Sequence, residues 1–158
     1  MSDASALLQS LIYTAQRAGG AIMAVYATDF AVRDKQDASP VTAADEAAEK
    51  IILADLAVIA PGVPVVAEEA VSAGRVPVIA DRFFLVDPLD GTREFVSRRD
   101  EFTVNVALIE RGEPVLGVVF APARRELYWG DVRAGKAGRI DADPDGTMPS
   151  MGTATSRA

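Results

Sequence analysis

Residues 83–95 read FFLVDPLDGTREF and carry the strongest structural signal in the chain. The apolar run FFLV predicts a buried strand, and Asp87 stands at its carboxyl end. Pro88 restricts the backbone after it, so Asp90 is expected to return close to Asp87 while the Leu89 carbonyl points inward. Two carboxylates and a carbonyl oxygen are therefore predicted to converge where the strand ends.

The next two residues, Gly91 and Thr92, add a second chemical feature to this segment. Glycine permits a positive φ or a close backbone approach, and threonine supplies a hydroxyl beside exposed amides that can receive an anion. Oxygen-only ligands suit Mg²⁺ or Ca²⁺, and open positions for water and substrate phosphate favour Mg²⁺. The alternative interpretation is an ordinary turn, in which the acids bond only to the local backbone.

Further acidic positions favour the interpretation as a metal site. Glu68 and Glu69 follow the apolar strand 63–67, although a solvated strand end would explain them as well. Asp45 lies three residues after Thr42, in what the pattern predicts to be the first turn of a helix. Capping is the alternative there, because the helix dipole stabilises an acid near the N-terminus and Thr-x-x-Asp resembles a capping box.

The rest of the chain predicts an α+β fold with two helices packed on an antiparallel sheet. Apolar residues at three- and four-residue steps indicate a helix over residues 4–26. A second helix is expected over residues 43–58, with Thr42 as N-cap. Its predicted buried stripe consists of Ala47, Ile51, Leu56 and Ile59. The segments rich in β-branched and aromatic residues, which we predict to be strands, are 63–69, 83–88, 102–110, 114–122 and 125–131.

Two connections complete this prediction. Arg-Gly-Glu joins the strands 102–110 and 114–122, which suits a tight hairpin and hence antiparallel pairing. Residues from Gly135 onward lose periodicity and gain Gly, Pro, Asp and Ser, which predicts a turn followed by a loop. We therefore expect one domain over residues 1–138, which binds metal and phosphate, and a linker over residues 139–158.

Composition restricts the chemistry available to these 158 residues. The chain has neither Cys nor His, which excludes disulfides, thiolate nucleophiles, Ser-His-Asp catalysis and zinc sites built from these residues. A formal charge of -7 disfavours nucleic-acid partners. No apolar run is long enough to span a bilayer, and no basic cluster precedes the first apolar residues. We expect a cytoplasmic protein, with peripheral attachment to the inner membrane as the alternative.

Several segments together resemble one known family. They are KQDASPVTAADEAAE (35–49), VVAEE (65–69), FFLVDPLDGTREFV (83–96) and DEFTVNVALIERGEPVLGVVFAP (100–122). This order resembles the lithium-sensitive, magnesium-dependent phosphatases that include inositol monophosphatase and fructose-1,6-bisphosphatase. The resemblance extends to about Gly138 and implies the N-terminal half of a layered αβαβα sandwich. It also implies that the linker leads to a second α/β domain, absent from this chain, whose WD-x-A-A-G-type motif completes the metal site.

The resemblance also implies roles for individual residues. The implied Mg²⁺ ligands are Glu68, Asp87, the Leu89 carbonyl and Asp90. The residues implied to bind the substrate are Glu68, Leu89, Asp90, Gly91 and Thr92. Asp45 and Thr92 are implied to be catalytic, because they would orient and deprotonate the attacking water. Two or three Mg²⁺ ions and inhibition by Li⁺ are expected.

The substrate implied by the resemblance is a small phosphorylated nucleotide or sugar. The segments SPVTAAD, DPLDGTREF and EFTVNVALI are most similar to family members that convert adenosine 3',5'-bisphosphate, a by-product of sulfate assimilation, to AMP and phosphate. Hydrolysis of inositol monophosphate is the alternative activity. The third alternative is an inactive truncated fragment that acts only as a binding or interaction module. Without the second domain, these 158 residues are expected to be weakly active or inactive. A homodimer is one expected oligomeric state.

Overall fold

The computed structural model describes residues 3–28, 30, 39–67, 74 and 81–147, in which three helices pack on a six-stranded sheet. The helices are α1 (Asp3–Tyr26), α2 (Pro40–Ile59) and α3 (Thr92–Val96). The strands are β1 (Val65–Ala67), β2 (Arg82–Asp90), β3 (Thr103–Glu110), β4 (Glu113–Ala121), β5 (Glu126–Asp131) and β6 (Lys136–Asp141). The predicted α+β class, with helices packed on a sheet, is confirmed, but the sheet is mixed and not wholly antiparallel as predicted. The short helix α3 was not predicted from the sequence.

Helix α1 lies across the sheet and confirms the predicted apolar stripe. Its buried apolar side chains are Leu8, Leu11, Ile12, Ala15, Ala18 and Ile22. The helix packs closely on β4 at Gly19, where an added Cβ would lie 2.4 Å from a carbon of the Phe120 ring. Glycine at this position therefore permits a closer approach of helix to sheet than any other residue would.

Helix α2 begins earlier than the sequence predicted, and the predicted N-cap is wrong. Ser39 is the N-cap, and its Oγ accepts a hydrogen bond of 3.2 Å from the backbone N–H of Thr42. Pro40 lies in the first turn, where backbone N–H groups have no partner within the helix. The missing N–H of proline therefore costs no helical hydrogen bond. Asp45 consequently lies in the second turn, and the first turn contains no acid. Thr42 is therefore not the N-cap, which is the position that the alternative interpretation of Asp45 as part of a capping box assigned to it.

The buried face of α2 is also rotated from its predicted position. Its fully buried residues are Ala44, Ala48, Ile52 and Leu56, whereas Ala47, Ile51 and Ile59 are only half-buried. The pairs Ala47-Ala48 and Ile51-Ile52 make two registers of the apolar stripe equally plausible from sequence. Packing against α1 and β2 selects the later register.

The strands follow one another across the sheet in the order β1-β2-β3-β4-β5-β6. All neighbours are antiparallel except β1 and β2, which are parallel and make the sheet mixed. The predicted hairpin between β3 and β4 is confirmed. Its two connecting residues, Arg111 and Gly112, both have positive φ, of 51° and 80°, as a tight hairpin of this hand requires.

The prediction of a loop from Gly135 onward is wrong for residues 136–141, which form the edge strand β6. This strand is polar and mostly exposed, so it lacks the apolar alternation that reveals a strand in sequence. Gly138 pairs with Trp129 of β5, and an added Cβ would lie 2.9 Å from the indole ring. The division into a domain over 1–138 and a linker over 139–158 stays a prediction.

The two faces of the sheet differ in exposure. One face carries α1 and α2 and holds the core residues of β2 to β5. On the other face Leu85, Val119 and Tyr128 are 40%, 40% and 44% exposed. Among the helices of the described part of the chain, none is sufficiently long and apolar to cross a bilayer.

Candidate active site

The carboxyl end of β2 is irregular at the two aspartates. Asp87 pairs with Asn105 and Asp90 with Thr103, and the register with β3 shifts between them. Pro88 and Leu89, which lie within this irregularity, are both buried, whereas Asp87 is half-buried and Asp90 is exposed. The irregularity therefore anchors the intervening residues in the core and leaves both acids accessible at the end of the strand.

Strand β3 orients one of these acids. The Asn105 side-chain amide donates a hydrogen bond of 3.2 Å to Oδ2 of Asp90, and the Thr103 hydroxyl donates one of 2.9 Å to Oδ1 of Asn105. The sequence analysis missed both residues. The signal that could have revealed them is their spacing, because polar residues two apart share one face of a strand that is otherwise apolar.

The turn after β2 depends on Gly91, which has a φ of +90°. An added Cβ would lie 3.2 Å from Cα of Phe102 and 3.2 Å from Oε2 of Glu94. The Gly91 carbonyl accepts a hydrogen bond of 3.0 Å from the N–H of Phe95, which starts α3. Both the backbone conformation and the close approach therefore require glycine, and they place Thr92 at the first position of α3.

Aromatic residues pack behind this turn. The buried Phe95 ring lies 5.3 Å from the Tyr26 ring and 5.2 Å from the Phe102 ring, centroid to centroid. The Tyr26 hydroxyl donates a hydrogen bond of 2.8 Å to Asp100. Burial, helped by this hydrogen bond to an acid, raises the pKa of Tyr26 to about 12. The hydroxyl is therefore a neutral donor at physiological pH.

Asp45 and Thr92 face a common cavity of about 290 Å³ beside the start of α2. The residues that line it are Val41, Thr42, Asp45, Glu46, Glu49 and Thr92. Three of them are acids, so the cavity is a negative environment that favours a cation. The structure thus brings together the two residues for which the family resemblance implies a catalytic role.

A larger groove of about 790 Å³ lies between α1 and α2, away from the strand ends. Its charged residues are paired with each other, since Arg17 contacts Asp55 at 2.5 Å and the Thr14 hydroxyl donates to the same carboxylate. This pairing with Asp55 raises the pKa of Arg17. An arginine and an acid that satisfy each other leave little charge for a ligand, so we place the candidate site in the smaller cavity.

The donor chemistry at the end of β2 fits a hard cation. Asp87, Asp90 and the Leu89 carbonyl offer only oxygen, which Mg²⁺ prefers. Glu68, the remaining predicted ligand, lies outside the described residues. Within the ranges that the structure describes, no group of three or more acids is placed to hold a metal ion. The predicted ligand set therefore agrees in chemical type, and its assembly stays a prediction.

Known proteins resemble this chain over most of its length. The profile of the inositol monophosphatase family matches residues 3–139. The 3'(2'),5'-bisphosphate nucleotidase CysQ of Salmonella typhimurium is 50% identical over 125 residues, which cover 78% of this chain and 51% of the relative. CysQ of Escherichia coli K12 is 48% identical over 124 residues, which cover 77% of this chain and 50% of the relative.

Solved structures show the same fold. The crystal structure of CysQ from Bacteroides thetaiotaomicron is 35% identical with a TM-score of 0.73, and the match covers 87% of this chain and 49% of that one. An inositol monophosphatase from Zymomonas mobilis is 28% identical with a TM-score of 0.73, and the match covers 90% and 53% of the two chains. The chain spans about half the length of these relatives. By the extent of these matches, it belongs to the inositol monophosphatase family.

Proposed function

We propose that the protein is a Mg²⁺-dependent phosphomonoesterase that hydrolyses adenosine 3',5'-bisphosphate to AMP and phosphate. The observation that carries this proposal is the end of β2, where accessible aspartates precede a left-handed Gly91 and lead to Thr92, which faces Asp45 across one cavity. The similarity to CysQ relatives at 50% and 48% identity supports the substrate class.

Glu68, Asp87, the Leu89 carbonyl and Asp90 are the residues that we propose hold Mg²⁺. Bound there, Mg²⁺ supplies positive charge that makes a water more acidic and offsets the negative charge of the phosphate. The chain itself contributes the orientation of its ligands. Asn105 and Thr103 hold Asp90 by successive hydrogen bonds, which fixes the direction in which the carboxylate presents its oxygens.

The remaining residues act on the substrate phosphate and the attacking water. We propose that Gly91 and Thr92 contact the phosphate to be cleaved, since a left-handed glycine followed by a helical residue exposes backbone N–H groups. Asp45 accepts a proton of the water, directly or through the Thr92 hydroxyl, as the water oxygen forms a bond to phosphorus. The bond from phosphorus to the 3'-oxygen breaks, and that oxygen leaves with a proton from solvent. Positioning and charge suffice for this chemistry, which needs neither His nor Cys.

The experiment that tests the proposal compares two substrates. Release of phosphate from adenosine 3',5'-bisphosphate and from inositol 1-phosphate is measured with and without Mg²⁺, and again with Li⁺. We expect the nucleotide to be preferred, Mg²⁺ to be required and Li⁺ to inhibit. Preference for the inositol ester would select the alternative activity, which the likeness to the Zymomonas mobilis inositol monophosphatase favours. Absence of hydrolysis of either ester, also when the second domain implied by the resemblance is supplied, would support a binding module instead.

A further inference from the structure

The segment that leaves α3 contains an arginine in an unusual backbone conformation. Arg98 has a φ of +58°, in the left-handed region that favours glycine. Its N–H donates to the Phe95 carbonyl at 3.2 Å, and the N–H of Arg99 donates to the Glu94 carbonyl at 2.8 Å. These bonds end the helical turn in the way that a C-terminal glycine usually does. Arginine is less favourable than glycine in this backbone conformation, so we attribute its presence to the contacts of its side chain.

The Arg98 side chain reaches back to the end of α1. Its guanidinium donates to the carbonyl of Tyr26, the last residue of the helix, and to the carbonyl of Thr28 at 2.6 Å. The last carbonyls of a helix lack partners within it and attract positive charge. One planar side chain therefore binds two backbone acceptors at once, which a lysine could not do with the same geometry.

The same guanidinium is in contact with aromatic rings that lead to the active-site turn. It lies 3.9 Å from the centroid of the Phe30 ring, and that ring is also stacked on the Phe95 ring at 5.3 Å with an interplanar angle of 5°. Phe95 packs edge-on against Phe102 at 5.2 Å. The Cα of Phe102 is the atom that lies 3.2 Å from the Cβ position of Gly91. Packed side chains thus connect Arg98 continuously to the turn.

A second bond fixes the segment 97–100 against α1. The Tyr26 ring lies 5.2 Å from the Arg98 guanidinium, and its hydroxyl donates to Asp100 at 2.8 Å. The segment after α3 is therefore held on both sides of Tyr26, by a cation over the ring and by an acid at the hydroxyl. Because α3 is only five residues long, its position depends on this attachment.

We propose that Arg98 is a positioning residue of the active site. It does not contact the substrate; it holds α3 against the end of α1 and, through Phe30 and Phe95, sets the orientation of the backbone N–H groups of Gly91 and Thr92. The effect of Arg98 on catalysis rests on the proposed phosphatase function. The effect of Arg98 on the geometry of the turn does not depend on that function.

The test replaces Arg98 with the residue that its backbone prefers. Arg98→Gly relieves the left-handed conformation and removes only the side-chain contacts. Arg111→Gly is the matched control, because Arg111 has a φ of +51° and lies in the hairpin at the opposite end of β3. A purely conformational role predicts that both variants behave alike. A positioning role predicts that only Arg98→Gly changes the site.

Two measurements are made on both variants. The first is the chemical shift of the Gly91 and Thr92 amides in the absence of ligand, which we expect to move in Arg98→Gly and not in Arg111→Gly. The second is steady-state hydrolysis of adenosine 3',5'-bisphosphate with saturating Mg²⁺. We expect kcat to fall about 10- to 100-fold in Arg98→Gly with KM changed by less than about 3-fold, since misplacement affects the transition state most.

The outcomes separate this proposal from the proposed function. Unmoved amides and an unchanged kcat in Arg98→Gly would overturn the positioning role. If the unmodified protein hydrolyses neither adenosine 3',5'-bisphosphate nor inositol 1-phosphate, the proposed function fails, and the amide shifts alone decide whether Arg98 orients the turn. If Arg98→Gly does not fold, Arg98→Lys takes its place, because it retains the charge and loses the two-carbonyl contact. The same two measurements then apply.

Discussion

The two ends of strand β2 are both rich in charge, but they use it differently. At the arginine end, formed by Arg82, Arg133 and the β3–β4 hairpin, the Glu110 carboxylate accepts hydrogen bonds from both arginines. At the acid end, formed by residues 87–92, Asp90 accepts one from the neutral Asn105 amide. Among the residues that the structure describes, no ion pair to Asp90 is found.

This difference separates a structural charge from one available for chemistry. A carboxylate between two guanidinium groups is already neutralised, and a cation would have to displace an arginine to reach it. A carboxylate held by a neutral amide keeps its negative charge while its direction is fixed, which is the arrangement that metal ligands typically have. The comparison therefore predicts which acids can be neutralised without loss of activity and which cannot.

The largest expected effect follows from neutralising an acid at the acid end. Asp90→Asn keeps an oxygen that can accept a hydrogen bond from Asn105 and removes the negative charge of a proposed Mg²⁺ ligand. Loss of charge stabilisation of several kcal/mol predicts a fall in kcat of about 1,000-fold. The measurement is hydrolysis of adenosine 3',5'-bisphosphate with saturating Mg²⁺, together with calorimetric titration of Mg²⁺. Asp87→Asn is expected to act in the same direction.

Glu110→Gln at the arginine end is the control for that experiment. Asp90→Asn and Glu110→Gln each remove one negative charge from the same sheet, so a general electrostatic effect would appear in both variants. We expect Glu110→Gln to retain kcat within about 2-fold, because Glu110 belongs to an exposed ion-pair network. Equal losses in the two variants would refute the distinction between the ends.

A pair of glycines gives the next largest effect. Gly91 and Gly112 have similar φ values, of 90° and 80°, but only Gly91 is crowded, by Phe102. Gly112→Ala should destabilise the fold by about 1–2 kcal/mol through the left-handed conformation alone. Gly91→Ala should add the overpacking penalty and reach about 3 kcal/mol. Urea unfolding of both variants measures the difference, and equal losses would show that the turn at Gly91 can relax.

Tyr26 provides a smaller effect that depends on pH. Its pKa is raised from 10.0 to about 12, so the folded state favours the protonated hydroxyl. The stability that this provides is complete below pH 10 and is lost as the pH rises toward 12. Tyr26→Phe removes the bond to Asp100, should cost about 1 kcal/mol at pH 8, and should flatten the fall in stability above pH 10 that this tyrosine causes. The free energy of unfolding of both proteins is measured across this pH range. Equal losses of stability above pH 10 in the two proteins would contradict the prediction.

Strong local signals explain what the sequence predicted correctly. The stripe of α1, the strands β2 to β5 and the hairpin at Arg111-Gly112 each follow from a period or a turn preference that a few neighbouring residues express. The segment 87–92 is predicted to be a site because proline, glycine and acids occur together there, and this role stays a prediction. Asp45 and Thr92 line one cavity, and the catalytic roles that the resemblance implies for them stay predictions.

Features that depend on tertiary contacts could not be predicted. The register of α2 is selected by packing, since adjacent apolar residues such as Ile51 and Ile52 suit two registers equally. Strand β6 is stabilised by pairing with β5 and has no apolar pattern of its own. The roles of Asn105 and Arg98 depend on partners 15 and 70 residues away in sequence, Asp90 and Thr28. No local pattern contains such partners.

The smallest effect concerns the stability of the arginine end. Glu110 is 19% exposed, but its partners Arg82 and Arg133 are 47% and 58% exposed, so solvent screens both ion pairs. We expect Glu110→Gln to lose less than about 1 kcal/mol of unfolding free energy, and the loss to shrink as salt is added. Urea unfolding at low and at high salt measures both quantities. A loss above about 2 kcal/mol that salt does not reduce would mean that Glu110 behaves as a buried charge. Its neutralisation would then leave the charges of its arginine partners uncompensated. The arginine end would then be a rigid electrostatic network, and the contrast with Asp90 would lie only in the charge of the neighbouring groups, which are cationic at Glu110 and neutral at Asp90.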